Sequence, residues 1–155
     1  MSEDFLAGMA RASRARVVAA RRERDDAQLE ALLRDLPPPP RLMLSREGFD
    51  VIAEVKLRSP AVGALASDDA GVGGRVTQYA DAGAAAVSVL TEPARFDGSL
   101  EHLRLAAGAL ATAGAVPAMR KDFLVDPYQV LEARLAGAGG VLVICGCSSG
   151  TRCRR

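Results

Sequence analysis

Two lysines stand out in the sequence, because nearly every other cationic side chain is an arginine. Lysine and arginine together number 20, yet only Lys56 and Lys121 are lysines. Glu54 lies two residues before Lys56, and residues i and i+2 of a strand point to the same face. Burial or neighbouring charges can shift the pKa of a lysine, whereas arginine does not release its proton near neutral pH. The pattern indicates a site that needs a proton donor or a compact cation; two ordinary buried ion pairs are the alternative.

The elements that must position these side chains follow a regular alternation from residue 48 onward. The predicted strands are "FDVIAEVK", "AAAVSVL", "AVPAMRKD" and "GGVLVIC". The predicted helices between them are "RVTQYADAG", "LEHLRLAAGALATAG" and "DPYQVLEARLAG", the last with Asp126 at its N-cap. Apolar strands joined by helices are typical of a parallel sheet covered by helices. The sequence therefore predicts an α/β fold, either an open doubly wound sheet or a (β/α)8 barrel.

Both architectures place their chemistry at the carboxyl ends of the strands. Lys56 ends the first predicted strand, Glu92 follows the second, and Lys121 lies near the end of the third between Arg120 and Asp122. No G-x-G-x-x-G follows the first strand, so dinucleotide binding has no support. These charged residues, with Glu54, are the main candidates for function.

Three further residues give weaker signals. Ser59 begins a long loop after the first strand, where a hydroxyl and backbone donors can meet a phosphate, although a simple turn explains it equally well. Phe96 lies in the loop after the second strand, and either packs that loop or forms an apolar wall for an aromatic substrate. His102 falls inside a helix, where we expect a solvated side chain rather than a catalytic one.

Residues 1–46 are predicted to form a helical extension that ends in a proline-rich linker. Residues 2–35 are typical of one or two polar helices, and their narrow leucine stripe favours docking on a larger body over a coiled coil. Four consecutive prolines at 37–40 end the helix and favour a stiff polyproline II spacer. The α/β body occupies 47–144, and 145–155 form a tail.

Composition and charge argue against several classes of protein. A formal net charge of +1 gives no reason to expect nucleic acid or an anionic membrane as a partner. No apolar run reaches the roughly 18 residues of a membrane span, and the N-terminus lacks the apolar core of a signal peptide. All three cysteines lie in the tail without a fourth ligand nearby, so no metal site is expected. These features predict a cytoplasmic protein.

Three blocks of the sequence resemble the indole-3-glycerol phosphate synthase family. They are "VIAEVKLRSP", "GAAAVSVLTEPARFDGSLEHL" and "MRKDFLVDPYQVLEARLAGAGGVLVI". The resemblance implies a (β/α)8 TIM barrel with an N-terminal helical extension, of which only about four βα units are present. It also implies a carboxy-lyase of tryptophan biosynthesis, which closes the pyrrole ring of carboxyphenylamino-deoxyribulose 5-phosphate with loss of CO2 and water. No cofactor is implied.

The resemblance also implies a role for each candidate residue. Lys121 would be the general acid that protonates the ketone oxygen during ring closure. Lys56 would pair with the negative groups of the substrate, and Glu54 would assist proton transfer and hold the lysines. Ser59 would lie near the phosphate, and Phe96 would line the pocket for the anthranilate ring.

The sequence also departs from the family. Leu57 replaces a residue that is usually polar or basic, and Ala61 replaces a serine beside the implied phosphate contact. The family has eight strands, whereas four are predicted here before a tail, "CGCSSGTRCRR", that does not match it. We therefore expect a truncated synthase with little or no activity alone and possible self-association through an open sheet edge. A catalytically inactive half-barrel remnant is the alternative reading.

Overall fold

The computed structural model describes residues 3–45, 47–65, 71–114 and 116–144, so the tail at 145–155 and its cysteines lie outside the described residues. The helices are α1 (Glu3–Glu23), α2 (Asp26–Leu33), α3 (Gly71–Asp81), α4 (Pro93–Phe96), α5 (Leu100–Thr112) and α6 (Tyr128–Leu135). The strands are β1 (Ile52–Val55), β2 (Arg58–Ser59), β3 (Gly63–Ala64), β4 (Ala86–Leu90), β5 (Ala118–Lys121) and β6 (Gly140–Leu142). No helix within these ranges is both long and apolar enough to cross a membrane.

The main sheet contains four parallel strands in the order β1-β4-β5-β6, which is their order along the chain. Consecutive parallel order is the arrangement of a (β/α)8 barrel, whereas a doubly wound sheet reverses its strand order at a switch point. The α/β prediction is therefore confirmed, and the topology selects the barrel. The described strands form four consecutive members of such a barrel.

The main hydrophobic core lies between this sheet and the helices α3, α5 and α6. Val55, Val87 and Val89 project from one face of the strands into this core. Side chains of α3 and α5, including Val76 and Leu103, cover them. Because side chains alternate along a strand, Glu54, Ser88 and Lys121 point to the opposite face, which in a barrel is the interior.

The N-terminal helices pack on the body, as the leucine pattern predicts. Val17 of α1 and Leu29 of α2 form a cluster with Tyr128 of α6. Near the start of α1, Met9 packs with Phe123, which follows β5. The prediction of a helix docked on a larger body is thus confirmed.

Two small elements were not expected from the sequence. The loop after β1 folds into an antiparallel hairpin of β2 and β3, and Gly63 supplies the positive φ of 84° that its turn requires. The loop after β4 contains the short helix α4, because the carboxylate of Glu92 accepts hydrogen bonds from the N–H groups of Ala94 and Arg95. Helix α6 begins at Tyr128, and Pro127 before it already has helical backbone angles. The carboxylate of Asp126 accepts a hydrogen bond of 2.9 Å from the N–H of Tyr128, which is the capping contact predicted for Asp126.

Gly98 lies where the chain leaves α4, and its missing side chain makes room for the end of β4. A Cβ at this position would overlap the carbonyl oxygen of Leu90 and would come within 2.8 Å of the carbonyl carbon of Thr91. We expect Gly98→Ala to lower the free energy of unfolding by about 1–3 kcal/mol, because backbone atoms must move.

Gly108 provides the matched control, because it lies in α5 and a Cβ there would meet nothing within 4 Å. Gly108→Ala is expected to raise the free energy of unfolding by up to about 1 kcal/mol through better helix propensity. Urea denaturation of both variants measures the difference. Equal stability of the two variants would contradict the proposed steric role of Gly98.

Candidate functional site

Glu54 lies between the two lysines at the carboxyl end of the sheet. Its Oε1 is 3.2 Å from the Nζ of Lys56. Its Oε2 accepts a hydrogen bond from the Nζ of Lys121. All three side chains keep about a third of their surface exposed, at 29% to 35%. The structure therefore brings Glu54, Lys56 and Lys121 together in a position that a small molecule can reach.

The strands explain why these side chains meet. Glu54 is on β1, directly in register with Ser88 on β4. Lys121 is the last residue of β5 and is in register with Leu90, which lies two residues beyond Ser88 toward the carboxyl end of β4. The long side chains of Glu54 and Lys121 therefore converge above β4, which lies between their strands.

The lysines determine the charge of Glu54. Burial raises the pKa of this carboxyl group, but hydrogen bonds and charge attraction from Lys121 and Lys56 outweigh burial. The net result is a pKa below the ordinary value for glutamate, so Glu54 is ionised at neutral pH. An ionised carboxylate between two ammonium groups can hold both in place and can exchange a proton with either.

Ser59 belongs to the hairpin rather than to a free loop. Its hydroxyl oxygen accepts a hydrogen bond of 3.3 Å from the N–H of Ala61, as in a turn. Ser59 also lines a cavity of about 160 Å³ together with the arginines Arg58 and Arg95. The turn alternative is therefore present in the structure, with two cationic side chains beside it.

Phe96 lies at the end of α4 in an aromatic cluster. Its ring is 6.4 Å from that of Phe123, and Phe123 meets Phe5 of α1 edge-on at 6.0 Å. Phe96 is half-buried in this cluster. It therefore packs the loop against the N-terminal helix and remains partly exposed.

The charged neighbours of Lys121 point away from the lysine site. Arg120 and Asp122 are almost fully buried and form an ion pair of 3.1 Å. Asp122 also accepts a hydrogen bond of 2.7 Å from Arg16 of α1. Arg16 lies 3.6 Å from Glu92, which is completely buried. These four residues form a network that fastens α1 to the ends of β4 and β5.

Further hydrogen bonds satisfy the polar groups of Arg120 and Asp122 in this network. The hydroxyl of Thr91 donates to Asp122 at 3.0 Å and accepts from Arg120 at 3.1 Å. Arg120 also donates to the backbone oxygen of Gln129 and to the carboxylate of Glu132. A cavity of about 300 Å³ lies beside this network, on the side of the sheet that faces the helices. Glu92, Arg120 and Asp122 therefore act in docking the extension, although the sequence placed them at the functional edge.

The prediction of a solvated His102 is wrong. Its residue is only 7% exposed, and its backbone N–H donates to the N-cap hydroxyl of Ser99. His102 lies four residues before Ala106 and eight before Leu110, both of which are buried on the inner face of α5. The spacing of four and eight residues from His102 to Ala106 and Leu110 could have predicted from the sequence that His102 is buried.

Sequence reasoning missed Ser88. It is a buried polar residue within the otherwise apolar β4, on the same face as Glu54 and Lys121. A serine in the middle of an apolar strand was the available signal, but only the register shows that it lies beside the charged pair. Within the described ranges, no group of three or more metal-ligating side chains could hold a metal ion.

Comparison with known proteins gives a consistent result. The family model for indole-3-glycerol phosphate synthase matches residues 7–152. A relative with that name from Nocardioides sp. is 50% identical over 122 residues, covering 76% of this chain and 44% of the relative. A Parafrankia sp. relative of the same name is 44% identical over 146 residues, covering 92% of this chain and 50% of the relative. A relative of the same name from Verminephrobacter eiseniae is 41% identical over 155 residues, covering 93% of this chain and 56% of the relative. The chain thus spans about half the length of these relatives.

Proposed function

The chain belongs to the indole-3-glycerol phosphate synthase family, and from this premise we propose that it carries proton-transferring residues of that synthase. The substrate is carboxyphenylamino-deoxyribulose 5-phosphate, and the reaction is ring closure with loss of CO2 and water. The observation that carries the proposal is the ionised Glu54 held between Lys56 and Lys121 at the carboxyl end of parallel strands.

Lys121 is the general acid in this proposal. When the aromatic carbon attacks the ketone, negative charge develops on the ketone oxygen as the carbon–carbon bond forms. The Nζ of Lys121 donates its proton to that oxygen, and the ring carboxylate then leaves as CO2. In a last step the new hydroxyl takes up a second proton and leaves as water, while the neighbouring carbon next to the nitrogen loses a proton to form the double bond of the pyrrole ring. An ammonium group positioned at a developing oxyanion both neutralises and protonates it.

The other residues bind and orient the substrate. Lys56 pairs with its negative groups, and Glu54 keeps both lysines in position and assists proton transfer. Ser59 lies near the phosphate, a role supported by the two arginines that share its cavity. Phe96 forms one wall for the anthranilate ring, and its partial exposure supports this role.

A fluorescence assay of product formation tests the proposal. The full chain is incubated with the substrate alone, and then with a second polypeptide that supplies the portion of the Nocardioides relative outside the match. We expect product in the second mixture and little in the first, because about half of that relative's length is not represented in the chain. Absence of both turnover and saturable substrate binding in the two mixtures would refute the proposal.

We also propose that the chain associates with a second copy through its exposed strands, in the cytoplasm. Ile52 on β1 is 48% exposed and Val143 just after β6 is 49% exposed. β1 and β6 are the two outer strands of the described sheet, and exposed apolar strands at a sheet edge promote pairing.

Gel filtration over a range of concentrations tests this association. We expect a dimer whose population falls on dilution, and a shift toward monomer in Ile52→Lys, because a charge at the edge disfavours strand pairing. Leu105→Lys is the control, since Leu105 is exposed on α5, on the helical side of the sheet. Identical elution of both variants would show that the strands are not the contact surface.

A further inference from the structure

The ion pair between Glu54 and Lys121 crosses over an intervening strand. Glu54 belongs to β1 and Lys121 to β5, and β4 lies between these strands. Neighbouring strands are about 4.8 Å apart, so the two backbones are separated by about 9–10 Å. The side chains can meet only above the residues at the carboxyl end of β4 that point to this face, Ser88 and Leu90.

Ser88 has an unusual environment beneath this pair. It is 5% exposed and in register with Glu54 on one side and Met119 on the other. Its hydroxyl oxygen is the one buried side-chain polar atom without a hydrogen-bond partner among the described residues. A buried hydroxyl that lacks a partner is costly, so such a group in a native site calls for a specific explanation.

The carboxylate of Glu54 provides a suitable partner. Each of its oxygens receives one lysine, but an ionised carboxylate has about four lone-pair sites. Two sites therefore remain for a further donor. Glu54 reaches Lys121 across β4, and Ser88 is its register partner on β4 with its side chain on the same face, so rotation about χ1 can direct the hydroxyl toward the carboxylate.

We propose that Ser88 is a positioning residue whose hydroxyl donates a hydrogen bond to Glu54 and holds its carboxylate over β4 between Lys56 and Lys121. The consequence for catalysis rests on the proposed function, because it acts through the general acid Lys121. The hydrogen bond itself is a property of the folded chain alone.

The test is a titration of the full chain by NMR, with ¹³C-labelled glutamate side chains. The charged groups that contact the Glu54 carboxylate are Lys56 and Lys121, and both remain in every variant. Loss of a donor to the charged form raises the pKa of a carboxyl group. In Ser88→Ala we expect the pKa of Glu54 to rise by about 0.5. Ser88→Thr keeps the hydroxyl, so we expect the pKa of Glu54 in this variant to equal that in the unchanged chain.

Ser13→Ala is the matched control, because Ser13 is a fully buried serine on α1 whose hydroxyl accepts a hydrogen bond from Gln129. We expect this variant to leave the pKa of Glu54 unchanged. A shift in Ser88→Ala no larger than that in Ser13→Ala, or a failure of Ser88→Thr to restore the value, would overturn the proposal. The titration uses no substrate, so its outcome is independent of whether the chain supports ring closure.

Discussion

Lys121→Met is expected to lower the rate of ring closure by about 10²–10⁴-fold, the usual contribution of a positioned general acid. Methionine preserves most of the length of the side chain but has no proton to donate. It also removes the hydrogen bond that Lys121 makes to Glu54. The rate is measured by product fluorescence in the mixture that supplies the rest of the Nocardioides relative.

Lys121→Arg separates proton donation from charge. Arginine keeps a cation that can pair with Glu54, but it does not release a proton near neutral pH. We expect this variant to lose nearly as much rate as Lys121→Met while it retains substrate binding. Lys56→Arg is the companion variant and should lose less rate, because its proposed role is charge pairing. A rate for Lys121→Arg close to that of the unchanged chain would exclude Lys121 as the general acid.

Asp122→Ala is expected to lower the free energy of unfolding by about 3–5 kcal/mol, as is usual when a buried ion pair loses one partner. Asp122 accepts hydrogen bonds from Arg16, Arg120 and Thr91. Its removal leaves the guanidinium of Arg120, only 4% exposed, with a single acidic partner, Glu132. The docking of α1 weakens at the same time, since Arg16 loses its closest carboxylate.

Glu101→Ala is the control for this substitution. Glu101 also pairs with an arginine, Arg104, but both side chains are more than half exposed. Exposed pairs contribute little, so we expect a loss below about 1 kcal/mol. Urea denaturation followed by circular dichroism compares the two variants. If Asp122→Ala is no less stable than Glu101→Ala, the buried network does not stabilise the fold.

The sequence was sufficient to predict the alternation of elements and the main residues of the candidate site. Apolar segments at short intervals predicted β1, β4, β5 and β6 within a few residues, since burial on both faces requires apolar side chains. The scarcity of lysine identified Lys56 and Lys121. The residues alone did not separate a barrel from a doubly wound sheet, because both use the same βα units and differ only in strand order.

Contacts between distant parts of the chain explain what the sequence did not predict. Arg16 and Asp122 are 106 positions apart, and nothing local indicates that they pair. Arg120 and Asp122 carry the same charges as a catalytic pair would, so their role depends on which face of β5 they occupy. Ser88 similarly acquires meaning only from its register with Glu54. Charge type is readable from sequence, whereas the partner of each charge is set by tertiary packing.

The network around Arg16 has a consequence for the order of events during synthesis. Helix α1 leaves the ribosome before β5, and its contact with Asp122 spans 106 positions. At about 5–20 residues per second, Arg16 waits roughly 5–20 s before its partner is made. During this interval the arginine-rich helix has no β5 to dock on. Helix α1 is therefore made well before it can reach its final position, and the nascent chain must tolerate its early exposure.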